Sequence, residues 1–201
     1  DTGFQSFRTH LFGAFPRAGV APTFRDYKHF EEVTQTLVRA ESITKPRQVW
    51  WCVRPHPTHG TVELRMFDVQ SSLERLAGFI ALSQALVATY VDHWERGAPN
   101  PALEREFLED GRWKGMRFGL QCRAIDPASG EVMPMREFAG RLAEFVRPRA
   151  EGFGAYGRIA RLLELVDKEG TGADQQRRVY ERAGRDLRVL QKWCMSQALA
   201  G

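Results

Sequence analysis

The stretch QVWWCVRPHPTHGTVELRMF, residues 48–67, decides how the chain is read. Val49, Trp51 and Val53 alternate with Trp50, Cys52 and Arg54, and Val62, Leu64 and Met66 alternate with Thr61, Glu63, Arg65 and Phe67. A period of two is the mark of β-strands, so two strands joined through His56–Gly60 are expected, the first stopped by Pro55 and Pro57. Residues two apart share a face. Glu63 and Arg65 therefore point together, as do Cys52 and Arg54. With the apolar faces turned to one core, these four residues line the other side of the sheet.

That polar face has a chemistry. A carboxylate can hold Mg²⁺ through oxygen, and guanidiniums bind phosphate oxygens in a fork, so the group suits a phosphorylated ligand. The same residues also make an ordinary pair of cross-strand ion contacts on a solvated sheet face, and spacing alone favours that reading.

Outward from the strands the pattern turns helical. Tyr27, Phe30, Val33 and Leu37 recur at helical spacing behind Asp26, a capping residue, and end near Ala40. Residues 1–23 are rich in glycine and proline and read as loop with a helical turn around Ser6–Phe12. After the strands, Ser71 and Glu74 form a capping box opening a long helix that Gly97 and Pro99 close. Its Ala81–Ala88 section is apolar on most faces, which places it in the core. A short helix over Leu103–Leu108, an unassigned segment Arg112–Ile125 and a turn at Asp126–Gly130 come next. Helices at Met135–Val146 and Ala150–Val166 follow, separated by Pro148. Thr171 and Asp174 cap a last amphipathic helix running through Val179, Leu187 and Cys194.

The chain has 201 residues, 43% hydrophobic and 27% charged. This is folded-protein composition and excludes a disordered tail, a collagen-like fibre and a disulfide scaffold. It reads as one helix-rich α+β domain over residues 1–201, with no linker long enough to divide it. The +4 net charge comes without a dense basic run, so nucleic acid is not expected. Three scattered cysteines, Cys52, Cys122 and Cys194, form no metal motif and imply reduced thiols in a cytoplasm. The longest apolar run, Leu76–Val91, is shorter than the ~20 residues of a membrane span. His56 and His59 lack a third metal ligand. Arg8, with Thr2 and Ser6, could hold an anion, as surface loops often can. Gly170-Thr171-Gly172-Ala173 lacks the Lys and Ser/Thr of a P-loop.

Taken together, Trp50-Trp51-Cys52-Val53-Arg54-Pro55-His56-Pro57 and Gly60-Thr61-Val62-Glu63-Leu64-Arg65 resemble the bacterial carboxylate–amine ligases, the type 2 glutamate–cysteine ligase family. The likeness extends to Asp1-Thr2-Gly3-Phe4-Gln5-Ser6-Phe7-Arg8, Gly19–Pro22, Arg112-Trp113, Arg117–Leu120, Gly170–Ala173 with Arg177, and Tyr180–Ala183. Several separated motifs in the right order make it specific.

The resemblance implies the C-terminal half of a glutamine-synthetase-like fold with a small antiparallel sheet, and an enzyme that uses ATP and Mg²⁺. Such enzymes activate a carboxylate, glutamate's in the type reaction, as an acyl phosphate that an amine attacks. It implies Glu63 as metal ligand, Arg65 as catalytic contact to the phosphoryl group, and Arg54 as either a nucleotide-phosphate residue or one that supports the groups touching the ligand. Arg8, Thr2 and Ser6 become substrate-binding. Cys52 departs from the family's usual acidic residue, Gly111 from Asn and Gln175 from Arg. The family's acidic N-terminal strand is not among these 201 residues, so the chain alone is expected to be inactive. An open sheet edge is expected, which a second copy or a separate N-terminal half would pair. The alternative is a non-catalytic fragment or interaction subunit that keeps the fold.

Overall fold

The computed structural model describes residues 1–98 and 103–199. The chain forms two compact units, Phe7–Asp68 and a larger one made of Asp1–Ser6 with Val69–Gly201.

In the smaller unit, α1 (Phe7–Gly13) leads into β1 (Ala18–Gly19) and α2 (Tyr27–Arg39). Asp26 caps α2 as expected, accepting the His29 N–H at 2.7 Å. Phe30, Ile43, Val49 and Trp51 form the buried centre, with Phe24, Val33 and Leu37 packed around them. Trp51 meets Phe24 and Phe30 ring to ring at 5.4 and 6.4 Å.

The first expected strand proves to be two. β2 (Trp50–Trp51) pairs with β1 in parallel, whereas β3 (Val53–His56) pairs with β4 (Thr61–Leu64) antiparallel. Cys52 is the changeover. Its N–H donates to the Gly19 carbonyl and its own carbonyl accepts the Arg65 N–H, each at 2.7 Å. Pro55 does not stop the strand but lies inside it, opposite Val62. The reason is the alternation of an antiparallel ladder. With Cys52 bonded to Arg65, the hydrogen-bonded pairs fall at Cys52, Arg54 and His56, and Pro55 sits between them, its missing donor facing away from β4.

The larger unit is helical at its centre. α3 (Leu73–Glu95), α5 (Met135–Gly152) and α6 (Tyr156–Glu169) pack through Ala81, Ala85, Ala143, Val146, Ala150 and Ile159. Small residues let the axes approach. Gly78 is the extreme case: a Cβ there would lie 2.6 Å from Leu162 Cβ and 2.9 Å from the Arg158 carbonyl. Arg75, 4% exposed, reaches across to the end of α6. It donates to the Leu165 and Gly170 carbonyls at 3.2 and 2.9 Å and to Glu169 at 2.9 Å. It thereby satisfies carbonyls that a helix end leaves without partners.

Several boundaries differ from the sequence reading. Ser72, not Ser71, caps α3, its Oγ accepting the Arg75 N–H; with Arg75 three residues on, the cap is a single hydrogen bond and not the reciprocal box that Ser71 and Glu74 suggested. α4 runs unbroken over Arg105–Phe118, because Gly111 and Gly115 blur its periodicity without breaking it. β5 (Arg123–Ile125) and β6 (Val132–Pro134) form a hairpin around the expected turn. Pro148 lies inside α5 rather than between helices. The completely buried Val146 and Ala150 hold it from both sides, against the ~3 kcal/mol an interior proline costs. The last helix is two, α7 (Gly172–Arg182) and α8 (Leu187–Leu199). Gly184 and Arg185, at φ 62° and 70°, turn the chain, and the Arg185 N–H reaches back to the Tyr180 carbonyl at 2.8 Å.

The observed architecture is thus α+β and helix-rich, with two-stranded ladders, one of them parallel. Pro99 and Asn100 lie outside the described residues. Among the described residues no helix is long and apolar enough to cross a membrane.

Candidate functional site

The candidate site is built on β3 and β4. Register places Arg54 directly across from Glu63. Arg54 Nε and Nη2 each lie 2.7 Å from Glu63 Oε2, and Arg65 Nη1 lies 2.8 Å from Oε1. One carboxylate is therefore held between two guanidiniums. The other end of Arg54 is also anchored, Nη1 donating to the Val49 carbonyl at 2.6 Å and to the Arg47 carbonyl. Those carbonyls come from the tight turn at Pro46–Gln48 and its exit.

The faces are reversed from the sequence expectation. The charged side of the ladder is the covered one: Arg54 is 7% exposed, while Val53 and Val62 are 38% and 52% exposed. The core of this unit is furnished by Trp51 and Val49, upstream of the changeover at Cys52, so β3 is free to turn its polar face inward. An internal guanidinium is tolerated here because every one of its nitrogens has an acceptor.

Glu63 feels two opposed influences. Partial burial pushes its carboxyl up, while the hydrogen bond and charge of Arg54, with those of Arg65, pull it down. The attraction wins and the pKa lies below its ordinary value of 4.5. The carboxylate is ionised at neutral pH.

The other sequence-derived residues divide between the units. Arg8 joins the group: its Nη2 donates to the Arg65 carbonyl at 3.2 Å, its Nη1 lies 3.7 Å from Asp68, and its guanidinium sits 5.1 Å over the Phe12 ring. Thr2 and Ser6 belong to the larger unit. Thr2 Oγ1 accepts the Phe4 N–H at 3.4 Å, and the Ser6 N–H donates to the Met116 carbonyl at 3.0 Å. His56 and His59 stack with ring centroids 4.5 Å apart. Among the described residues no cluster of three or more His, Cys, Asp or Glu could hold a metal.

The donor set was tested against the nucleotide and ion that the resemblance implies. A carboxylate offers about four lone pairs. Arg54 takes two on Oε2 and Arg65 one on Oε1, so one direction on Oε1 remains. This fits Mg²⁺ of the kind held by one or two carboxylates and completed by phosphate oxygens and water. It does not fit an ion caged by protein alone. On Arg65, Nε and Nη2 have no acceptor among the described residues, which leaves a fork edge for a phosphate oxygen. Arg54 has no such edge, its nitrogens being taken by Glu63 and the Val49 and Arg47 carbonyls.

A second gathering was not foreseen. Gln5 bridges to α7, its amide donating to Asp174 at 2.9 Å and its carbonyl accepting from Thr171 Oγ1 at 2.6 Å. Arg177 holds Asp1 at 2.9 Å and the Phe4 carbonyl at 2.5 Å, and Arg117 donates to the Gly3 carbonyl. Thr171 and Asp174 make the expected reciprocal cap. The Gly170 and Thr171 N–H groups thus serve the helix ends, donating to the Val166 carbonyl and to Asp174. Partners more than a hundred residues apart give no signal in spacing, although all but Asp174 lie in motifs the resemblance had marked.

Comparison with known proteins gives the family. The model of glutamate–cysteine ligase family 2 matches residues 1–193. A Rubrobacter xylanophilus protein provisionally named glutamate–cysteine ligase 2-1 is 35% identical over 190 residues, covering 94% of this chain and 50% of the relative. Counterparts provisionally named glutamate–cysteine ligase 2 occur in Thermobifida fusca (36% identical; 92% and 46% covered) and Sorangium cellulosum (34%; 90% and 48%). The chain spans about half the length of the curated relatives it matches. With the match running through the Glu63 ladder and the Asp1–Arg177 strap alike, the chain belongs to glutamate–cysteine ligase family 2.

Proposed function

We propose that this chain works as part of an ATP-dependent carboxylate–amine ligase with a glutamine-synthetase-like fold, and that its contribution is the Arg54–Glu63–Arg65 group. The observation that carries the reading is the single ionised carboxylate clamped between one buried and one half-buried guanidinium. Such a group is of little use to a solvated sheet face. It suits a reaction in which negative charge is handed from one oxygen to another.

In that reaction a substrate carboxylate oxygen, glutamate's, attacks the γ-phosphorus of ATP and ADP leaves. An amine nitrogen then attacks the acyl carbon, phosphate departs with the C–O bonding pair, and the amine sheds a proton. Phosphoryl transfer asks a protein chiefly for positioning and charge neutralisation. Arg65 would meet the transferring phosphoryl oxygens through Nε and Nη2. Glu63 would offer its remaining Oε1 direction to Mg²⁺, whose chemistry is neutralisation and orientation of the phosphate oxygens. Arg54 keeps Glu63 ionised and fixed. Arg8, tied to the Arg65 carbonyl, would steer the substrate carboxylate from the same edge.

The test uses the intact enzyme with Mg·ATP, glutamate and a panel of amines. Glu63→Gln and Arg65→Ala should nearly abolish ADP release while circular dichroism stays native; wild-type rates in both would overturn the assignment. The second reading is an interaction subunit without catalysis, and the absence of saturable Mg·ATP binding by the intact assembly would support that one instead.

A further inference from the structure

Helix α1 buries none of its side chains, yet its rings are not scattered. Arg8, Phe12 and Phe15 fall at i, i+4 and i+7, one stripe of a helical turn. The Phe15 N–H donates to the Phe12 carbonyl at 3.2 Å, which carries that turn just past Gly13. The Arg8 guanidinium lies 5.1 Å over the Phe12 ring, Phe12 meets Phe15 edge-on at 6.0 Å, and Phe15 meets Trp50 edge-on at 5.6 Å. Phe12 and Phe15 stay 38% and 51% exposed.

This row of rings closes on Arg65 at both ends. At one end Arg8 donates to the Arg65 carbonyl at 3.2 Å. At the other, Trp50 stands two residues before Cys52, whose carbonyl accepts the Arg65 N–H at 2.7 Å. Trp50 is fixed there by β2, its N–H donating to the Arg17 carbonyl at 2.8 Å, while the next residue, Trp51, turns into the core. An aromatic shelf thus borders the residue whose free fork edge suits a phosphate oxygen. A further ring laid on it gains both buried area and edge-to-face contact.

We propose that this shelf is the subsite of the attacking amine, and that the amine carries an aromatic body. The proposal rests on the ligase reading and names the substrate class of that same site. In-line displacement decides between the amine and the nucleotide base. Attacking and leaving oxygens lie roughly in line in phosphoryl transfer, so ADP departs on the side away from the substrate carboxylate. The shelf runs through Arg8, the residue assigned to that carboxylate. It therefore lies where the acyl phosphate meets its amine and not where adenine extends. The amine's lone pair forms the C–N bond, the C–O pair leaves with inorganic phosphate, and the nitrogen gives its extra proton to water. A ring seated on the shelf makes that attack one between neighbours.

The experiment gives the intact enzyme Mg·ATP and glutamate with hydroxylamine, ethylamine or phenethylamine. Hydroxylamine has no body to seat and reports carboxylate activation as hydroxamate, whereas the two amines differ by one ring. The expected kcat/KM for phenethylamine is roughly tenfold or more above that for ethylamine. Phe15→Ala should cut this preference to about twofold, and Phe15→Tyr, which keeps the ring, should retain it. Equal values for the two amines, with hydroxamate still formed, overturn the proposal and leave the ligase reading standing. No hydroxamate at all removes the ligase reading and the proposal with it. A preference indifferent to Phe15→Ala also overturns the proposal, and a raised KM for ATP in that variant then assigns the shelf to the adenine.

Discussion

Each unit buries one arginine in a conspicuous place, and the two behave differently. Arg75, in the helical unit, ends on carbonyls of α6 and on an exposed Glu169. It staples one helix to the end of another, and its carboxylate partner also accepts from the Gln175 amide at 2.6 Å. Arg54, in the smaller unit, is as well satisfied by the Val49 and Arg47 carbonyls, but its carboxylate partner is shared with Arg65 and half open. The lesson is that burial of a charge does not by itself mark a site. What sets Arg54 apart is a carboxylate partner shared with a second guanidinium.

The largest effect that would test this contrast is expected from Arg54→Ala. Removing one member of a buried pair costs about 3–5 kcal/mol, and with Glu63 about a third exposed the lower end applies. Denaturant unfolding of the smaller unit should move accordingly. Arg75→Ala should cost somewhat less, about 2 kcal/mol, since it strands buried carbonyls rather than a charge. A larger loss from Arg75→Ala than from Arg54→Ala would break the comparison.

Glu63→Gln sharpens it through pH. The Glu63 pKa is lower folded than unfolded. Its contribution is therefore fully present above the unfolded value near 4.5 and fades as pH falls through the folded one. Wild type should lose stability over that acid window, and Glu63→Gln should start lower at neutral pH and show a flatter acid limb in melting temperature. Parallel acid limbs would mean the carboxylate is not held as described. The smallest effect belongs to the helix surface. Glu164 is held near pKa 2 by Lys168 and Arg161, yet these are exposed surface pairs, and Glu164→Gln should leave the thermal midpoint unchanged within error.

Much of this was legible in residues 48–67. The alternation predicted both strands, and Glu63 and Arg65 were marked by their place on one face. What the pattern could not show was which face turns inward, because alternation is symmetric and both faces carry a plausible set. Trp51 drew the apolar face toward the core, but the chain changes ladders at Cys52, and one residue later the parity no longer transfers. Helix ends were read well where a cap decides them, at Asp26 and Thr171. They were misread where packing overrides a breaker, as at Pro148, or where a glycine turn hides between two periodic stretches, as at Gly184. The Gln5–Asp174 bridge lay beyond reach, since nothing local at either end anticipates the other.

The register of β3 on β4 has a consequence for how this ladder tolerates change over generations. An apolar strand pair can slip by two residues and find a similar face. Here Arg54 must meet Glu63 and at the same moment reach the Val49 and Arg47 carbonyls, so only one alignment satisfies the guanidinium. Insertions at the exposed tip, residues 57–60, leave that alignment untouched. A single deletion within Val53–His56 or Thr61–Leu64 would turn Arg54 or Glu63 to the wrong side, and no neighbouring substitution could restore both contacts. The hairpin tip is free to drift in length, while the strands behind it are held to a fixed count by a charge.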